Sequence, residues 1–177
     1  MPNNYSFKNF TDNMAKAIGK DLPISTKHSV ELCNFIRGKK ISEAKRLLIA
    51  IKNKKTAVPF KRYNSDMPHR VGMAAGRYPV KAMTFVLNIL ESAEANAAEK
   101  GLGAENLRIK HICAHQASRP WRYGRQGRRK ARRTHIEVVV EEVSPNKAPS
   151  EEKELKLLKG GLLKHKTSKD IFNEAKK

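Results

Sequence analysis

Within residues 119–133 the chain reads RPWRYGRQGRRKARR, which holds seven arginines and Lys130, no acid, and Trp121 and Tyr123 set among them. Guanidinium groups fork onto phosphate oxygens and stack on unpaired bases, and flat aromatic rings stack on bases in turn. The chemistry on offer is recognition of a polyanion, and arginine interleaved with Trp and Tyr suits RNA better than DNA. Eight like charges repel one another in water and stay unpaired until such a partner arrives. The bland alternative is a solvated basic loop. Against it stand the flanks, LRIKHICAH over 107–115 and HIEVVVEEV over 135–143, which alternate or are β-branched in the manner of strands. A cationic ribbon carried by a β-hairpin is the expected form, with Gly124 and Gly127 allowing a tight tip.

The hairpin needs a register. Pairing that opposes Arg108 with Glu141 and Ile112 with Glu137 puts Ile109 opposite Val140, His111 opposite Val138 and Cys113 opposite Ile136. That second face is mostly apolar and should lie on helices, while the outer face gains an Arg108–Glu141 ion pair. The ribbon then spans 114–134, and at roughly 3.3 Å per residue its arms of about ten residues reach about 30–35 Å.

The body must bury a core beneath this hairpin. Residues 5–24 read as an extended arm with one strand between Ala15 and Ile24. A first helix starts near Ser25 or Thr26, carries Val30, Cys33 and Ile36 with Leu32 and Phe35, and closes at Gly38. A second follows Ser42 as N-cap, with Ala44, Leu47, Leu48 and Ile51 at helical spacing, and gives out over 52–55. The stretch AVPFKRYNSDMPHRVGMAAGR over 57–77 is loop by its prolines, glycines and Asn64-Ser65-Asp66. Pro79 opens the longest helix, whose stripe is Ala82, Val86, Ile89, Ala93 and Ala97, widened by Phe85 and Leu90 and ended by Gly101 and Gly103. After Val143 a linker, SPNKAPSEEK, ends the globular part (1–143). The tail, 144–177, is expected to be charged and disordered until bound, with at most a helical turn or two over 151–159.

Composition restricts the function. Lys and Arg total 37 against 17 acids, a formal charge of +20 on 177 residues, and only eight of those charges lie in the ribbon. Cys33 and Cys113 make no disulfide framework, which fits a reducing, cytoplasmic setting. The start, MPNNYSFKNF, lacks the charged and apolar regions of a secretory leader. No apolar run approaches the ~20 residues of a membrane span.

Other chemistry is poorly supported. His111, Cys113 and His115 alternate along one strand, but one strand gives at most three ligands and no second pair with zinc spacing accompanies them, so no metal is expected. Arg37-Gly38-Lys39-Lys40 lacks the glycine and Ser/Thr of a phosphate loop. No nucleophile set or carboxylate pair stands out, so neither an enzyme nor a cofactor or small-molecule substrate is expected. Two classes remain: a structural RNA-binding protein whose hairpin is ordered by RNA, and a free RNA-coating or chaperone module without a fixed site.

The series ISTKHSVELCNFIRGKKISEAKRLL, VPFKRYN, HR, GRYPVKA, ILESAEANAAEKGL, LRIKHICAHQ and THIEVVVEE, in this order, resembles the L-twenty-two family of large-subunit ribosomal proteins (L-seventeen in eukaryotes). KHS, the VPFKRYN loop and GRYP mark the archaeal form. The resemblance covers residues 5–143. It implies an α+β, two-layer β-α-α-α-β-β domain with a long extended β-hairpin that binds large-subunit rRNA and lines the nascent-peptide exit tunnel. It further implies neighbouring ribosomal proteins and the passing nascent polypeptide as partners, a place in the cytoplasmic large subunit, and no membrane. In this light the expected rRNA contacts are Lys27, His28, Arg37, Lys39 and Lys40 around the first helix, and Lys61, Arg62, His69, Arg70 and Arg77 in the loop. Lys81, Lys110 and His115 join them, together with Arg119, Trp121, Arg122, Tyr123, Arg125, Arg128, Arg129, Lys130, Arg132 and Arg133 of the ribbon. The tunnel-facing tip would be Tyr123, Gly124, Arg125, Gln126, Gly127 and Arg128. Many members carry PRA-x-GRA there; this chain has two Gly-Arg pairs, Gly124-Arg125 and Gly127-Arg128, in a somewhat shorter loop.

Overall fold

The computed structural model describes residues 5–143; the expectations for 144–177 lie outside the described residues. Three strands, β1 (Met14–Leu22), β4 (Leu107–Gln116) and β5 (Thr134–Glu142), form an antiparallel sheet in the order β1-β5-β4. Three helices, α1 (Thr26–Ile36), α2 (Ile41–Lys52) and α3 (Val80–Glu99), pack on one face of it. The β-α-α-α-β-β order and α+β class are those expected. The loop over 57–77 adds a minimal pair, β2 (Val58–Pro59) with β3 (Gly76–Arg77), where pure loop was expected. Val58 and Phe60, both buried in the core, pin it to the body.

The core lies between helices and sheet. Leu32, Cys33 and Ile36 of α1, Ile41, Leu48 and Ile51 of α2, and Met83, Val86 and Leu90 of α3 meet Ile109, Ile112, Ile136, Val138 and Val140. Each such side chain removed from water contributes about 1.5–3 kcal/mol. Small residues Ala93 and Ala97 let α3 approach the sheet, and a Cβ on Gly19 of β1 would stand 2.5 Å from Ile89 Cδ1. Gly38 (φ 75) and Gly101 (φ 75) close α1 and α3 in the left-handed conformation that glycine adopts without steric cost. Among the described residues, no helix is long and apolar enough to cross a membrane.

Two helix starts differ from expectation. The second helix begins at Ile41, with Lys40 rather than Ser42 as N-cap. Lys40 is held extended by a bridge to Arg108 at the sheet edge, so helix can begin only after it. Pro79 is the cap of α3 and not its first residue; the Met83 amide donates to its carbonyl. In α1 the buried stripe runs through Ser29, Leu32, Cys33 and Ile36, leaving Val30 half-buried.

The expected register holds only from Leu107 to Ile109. A bulge at Lys110 then shifts the pairing by one, so His111 opposes Val139, Ile112 opposes Val138 and Cys113 opposes Glu137. The extra residue lets Ile109 and Ile112, three apart, both face the core, fully buried. His111 and Cys113 consequently leave the helix side for the outer face. Lys110, not Arg108, pairs with Glu141 at 2.9 Å, while the Arg108 guanidinium donates to the Gly38 carbonyl. That outer face is partly covered by the N-terminal arm: the Ser6 amide and hydroxyl donate to Glu137, and the Phe7 ring lies 5.6 Å from that of His111.

Candidate nucleic-acid interface

Beyond Gln116 the ribbon continues as spaced contacts instead of a full ladder. The Ala117 amide donates to the Arg133 carbonyl, Ala131 to Pro120 and Arg122 to Arg129. Pro120 has no N–H to offer, so only its carbonyl takes part. Gly124 (φ 68) starts a single 3-10 turn over Gly124–Gln126 that closes the tip. Tyr123 is 97% exposed there. Trp121 is less available than expected, because the Lys130 ammonium sits over its ring at 4.7 Å.

The stem lies along the body as far as Arg122. Thr134 fixes its root: its hydroxyl donates to the Ile24 carbonyl and meets the Thr26 hydroxyl at 2.9 Å. The Arg133 guanidinium donates to the Asp21 carbonyl. Between the stem and the first turns of α1 and α3 opens a cleft of about 650 Å³, lined by residues 23–25, His28, residues 78–82, Arg122 and residues 131–133. A second hollow of about 290 Å³ continues it past Lys27, Gln116 and Arg119. Seven basic side chains border the two hollows and no carboxylate does. Neither helix has a side-chain cap at this end, which leaves first-turn amides directed toward the cleft with the positive ends of two helix dipoles. Burial, and then the guanidinium groups of Arg77 and Arg132, hold the His28 imidazole below its ordinary pKa of 6.5. The arrangement can accept phosphate oxygens from several directions at once.

The basic loop is held beside it by a residue that the sequence reading missed. Glu31, on α1 and almost fully buried, accepts the backbone amides of Arg62 (2.9 Å) and Lys61 (3.3 Å). The Arg77 guanidinium donates to the Asp66 carbonyl, and Arg70 lies 5.5 Å over the Tyr78 ring. The His69 ring bonds the Ala74 carbonyl. A lone acid within an apolar helix face was the available signal for Glu31.

The remaining expected residues lie elsewhere. Arg37 is at the far end of α1, where it donates to the Ile112 carbonyl at 2.9 Å. Lys39 pairs with Glu43 at 3.0 Å, Lys110 with Glu141, and His115 with Glu137 at 3.2 Å. Lys27 and His28 were grouped with Arg37, Lys39 and Lys40 as flanking one helix; the fold separates them by the length of that helix. Arg125, Arg128 and Arg129 stay at the tip, exposed.

A family model described as ribosomal protein L22p/L17e matches residues 17–141. The large ribosomal subunit protein uL22 of Methanosphaera stadtmanae is 44% identical over 149 residues, which cover 79% of this chain and 97% of that protein. The protein of the same description from Archaeoglobus fulgidus is 44% identical over 147 residues, 78% of this chain and 95% of the relative. That from Staphylothermus marinus is 42% identical over 151 residues, 78% and 96%.

Proposed function

The chain belongs to the ribosomal protein L22p/L17e family, and we propose that it acts in the large ribosomal subunit as an rRNA clamp built from the cleft and the ribbon. It is a structural ribosomal protein and not an enzyme. The observation that carries the clamp is the cleft itself: a fixed hollow between two helix starts and an arginine-bearing stem, bordered by seven basic groups and no acid. Phosphate contacts there set position, since they carry no sequence information. Arg125, Arg128 and Arg129 extend the contact to a second RNA segment, and the 97%-exposed Tyr123 offers a face to an unstacked base. The tip, Tyr123 to Arg128, lines the nascent-peptide exit tunnel, and a passing polypeptide meets a narrow positive rim. The cleft residues Lys27, His28, Lys81, Arg119, Arg122, Arg132 and Arg133 rank ahead of Arg37, Lys39, Lys40, Lys110 and His115 as rRNA contacts. The globular unit is 1–143, with 144–177 an appended tail.

Sedimentation of lysate in about 0.5 M salt tests the reading, because peripheral contacts weaken steeply with salt. One copy per large subunit, retained, is expected. Release to the top of the gradient would contradict a built-in clamp and favour the free RNA-coating module.

A further inference from the structure

The bulge at Lys110 changes which side chains meet on the face of the sheet away from the helices. In an unbroken pairing His111 and Cys113 would point into the helix layer, with Glu137 on the opposite side. With the shift, Cys113 lies directly across from Glu137. His111 Nε2, Cys113 Sγ and a Glu137 carboxylate oxygen then fall within 4.8 Å of one another. His115, two residues on, brings a second imidazole: His111 Nε2 is 2.9 Å and His115 Nε2 3.2 Å from the same Glu137 oxygen. Glu137 is only 3% exposed and His111 23%, so these two donors lie under cover, while His115, 49% exposed, closes the site from the solvent side.

We propose that His111, Cys113 and Glu137, with His115 as fourth ligand, form a structural site for a divalent transition-metal ion, zinc being the one assigned. Imidazole nitrogen, thiolate sulfur and carboxylate oxygen are zinc's ordinary protein ligands, and four of them close a tetrahedral site. Calcium and magnesium, which take oxygen ligands, are a poor match. Metal–ligand bonds of about 2.0–2.3 Å put tetrahedral donors roughly 3.3–3.8 Å apart. The His–Glu137 pairs, at 2.9 and 3.2 Å, must open slightly, and the widest pair, within 4.8 Å, must close by up to about 1 Å, both within reach of side-chain rotation. Strand alternation alone supplies the three residues of β4; the bulge and β5 add the carboxylate.

Binding balances simply. Glu137 enters as the carboxylate, and the two neutral imidazoles move their proton from Nε2 to Nδ1, so that each Nε2 lone pair faces the ion. The Cys113 thiol gives up its proton, one per ion bound, to solvent. The Ser6 amide donates to the other Glu137 oxygen, Oε2, and orients the carboxylate from behind; the Ser6 hydroxyl lies among the donors, on Oε1 and 3.2 Å from His111 Nε2, and turns aside when the ion enters. Burial holds the Cys113 thiol above its ordinary range, against the opposing pull of the Arg37 guanidinium 4.0 Å from Sγ, so it is the ion that draws the proton off. A bound ion would staple β4 to β5 at the point where the ribbon leaves the sheet, and through Ser6 would fix the N-terminal arm.

The test uses the full-length chain without a polyhistidine tag, freed of metal by chelator and titrated with Co²⁺ and then Zn²⁺. Co²⁺ should give a sulfur-to-cobalt charge-transfer band with tetrahedral d–d intensity, saturating at one equivalent. Zn²⁺ should bleach both and raise the thermal midpoint. Cys113→Ser should lose the charge-transfer band and the zinc-dependent midpoint shift. Cys33→Ala should keep both, because Cys33 is sealed in the core. His111→Gln should weaken zinc binding at least about tenfold, in the range seen when a metal site loses a supporting group. Absence of a saturable band in the wild type would overturn the proposal. So would an unchanged band in Cys113→Ser, or unchanged zinc affinity in His111→Gln should the serine variant not fold.

Discussion

Two basic regions stand at opposite ends of α1, separated by roughly 16 Å at about 1.5 Å per residue, and the fold treats them differently. At the sheet edge Arg37, Lys39 and Lys110 each have a partner within the chain: a carbonyl, Glu43 and Glu141. At the cleft Lys81, Arg119, Arg122 and Arg132 make no ion pair among the described residues, and no acid lines the hollow. Basic residues gather at both ends; acids accompany them at only one, and the supply of donors left without a partner differs accordingly. An interface for a polyanion is marked by cations that the protein holds in place and leaves unsatisfied.

The satisfied region should fail as structure. Glu137→Ala strips a buried acceptor from the Ser6 amide and hydroxyl, His111 and His115, and is expected to cost about 2–4 kcal/mol of stability. Denaturant titration reads this directly. Burial alone would raise the Glu137 carboxyl, but the hydrogen bonds from Ser6, His111 and His115 outweigh it and hold the group at about 2, against an ordinary 4.5. The ionised form is therefore the stabilised one. Its contribution is complete above about pH 4.5 and is lost as pH falls toward about 2. Glu137→Gln should show much less loss across that window.

The unsatisfied region should fail as binding. Arg122→Ala with Arg132→Ala is expected to weaken rRNA-fragment affinity by on the order of 10–100-fold and flatten the salt slope by about two. The matched pair Lys39→Ala with Lys110→Ala should change affinity by less than about threefold. Fluorescence binding across a salt series distinguishes them, and equal losses would erase the contrast between the two ends. Replacing Arg125, Arg128 and Arg129 with Ala should likewise impair subunit assembly while leaving the domain folded by circular dichroism.

Smaller effects sharpen the picture inside the interface. Tyr123→Ala should lose roughly 1–3 kcal/mol of binding if a base stacks on it, with an unchanged thermal midpoint. His28 reports on the cleft without mutation. Its free-chain pKa lies below 6.5, so acidification below that value charges it against burial and against Arg77 and Arg132, and lowers stability. RNA phosphate in the cleft supplies the missing counter-charge, so the imidazole resonance should titrate at higher pH in the complex. An unchanged His28 titration would place the phosphates elsewhere.

Much of this was legible in the sequence, and the failures have physical causes. Helical spacing located α1, α2 and α3, and the glycines at 38 and 101 located two of their ends. The start of α2 was misplaced because Lys40 answers to a strand partner, Arg108, which is remote in sequence. The hairpin register broke at Lys110. Its signal was present: Leu107, Ile109, Ile112 and Ala114 are apolar, and the step of three between the isoleucines interrupts the period of two that a regular strand keeps. The cationic ribbon was legible because eight charges cannot hide in fifteen residues. The cleft was not, since it forms only when the stem folds along helix starts more than 35 positions away in the chain. Glu31 passed unnoticed, and Glu137 was read only as the strand partner of Ile112, because an acid in an apolar run acquires meaning only through the amides and imidazoles that reach it.

The most direct test of the contrast is lysine acylation, read residue by residue in the free chain and in the intact large subunit. Lys27 and Lys81 at the cleft should react in the free chain and be protected in the subunit, while Lys39 and Lys110 change little. Equal reactivity of Lys27 and Lys81 in the two states would contradict an rRNA-filled cleft.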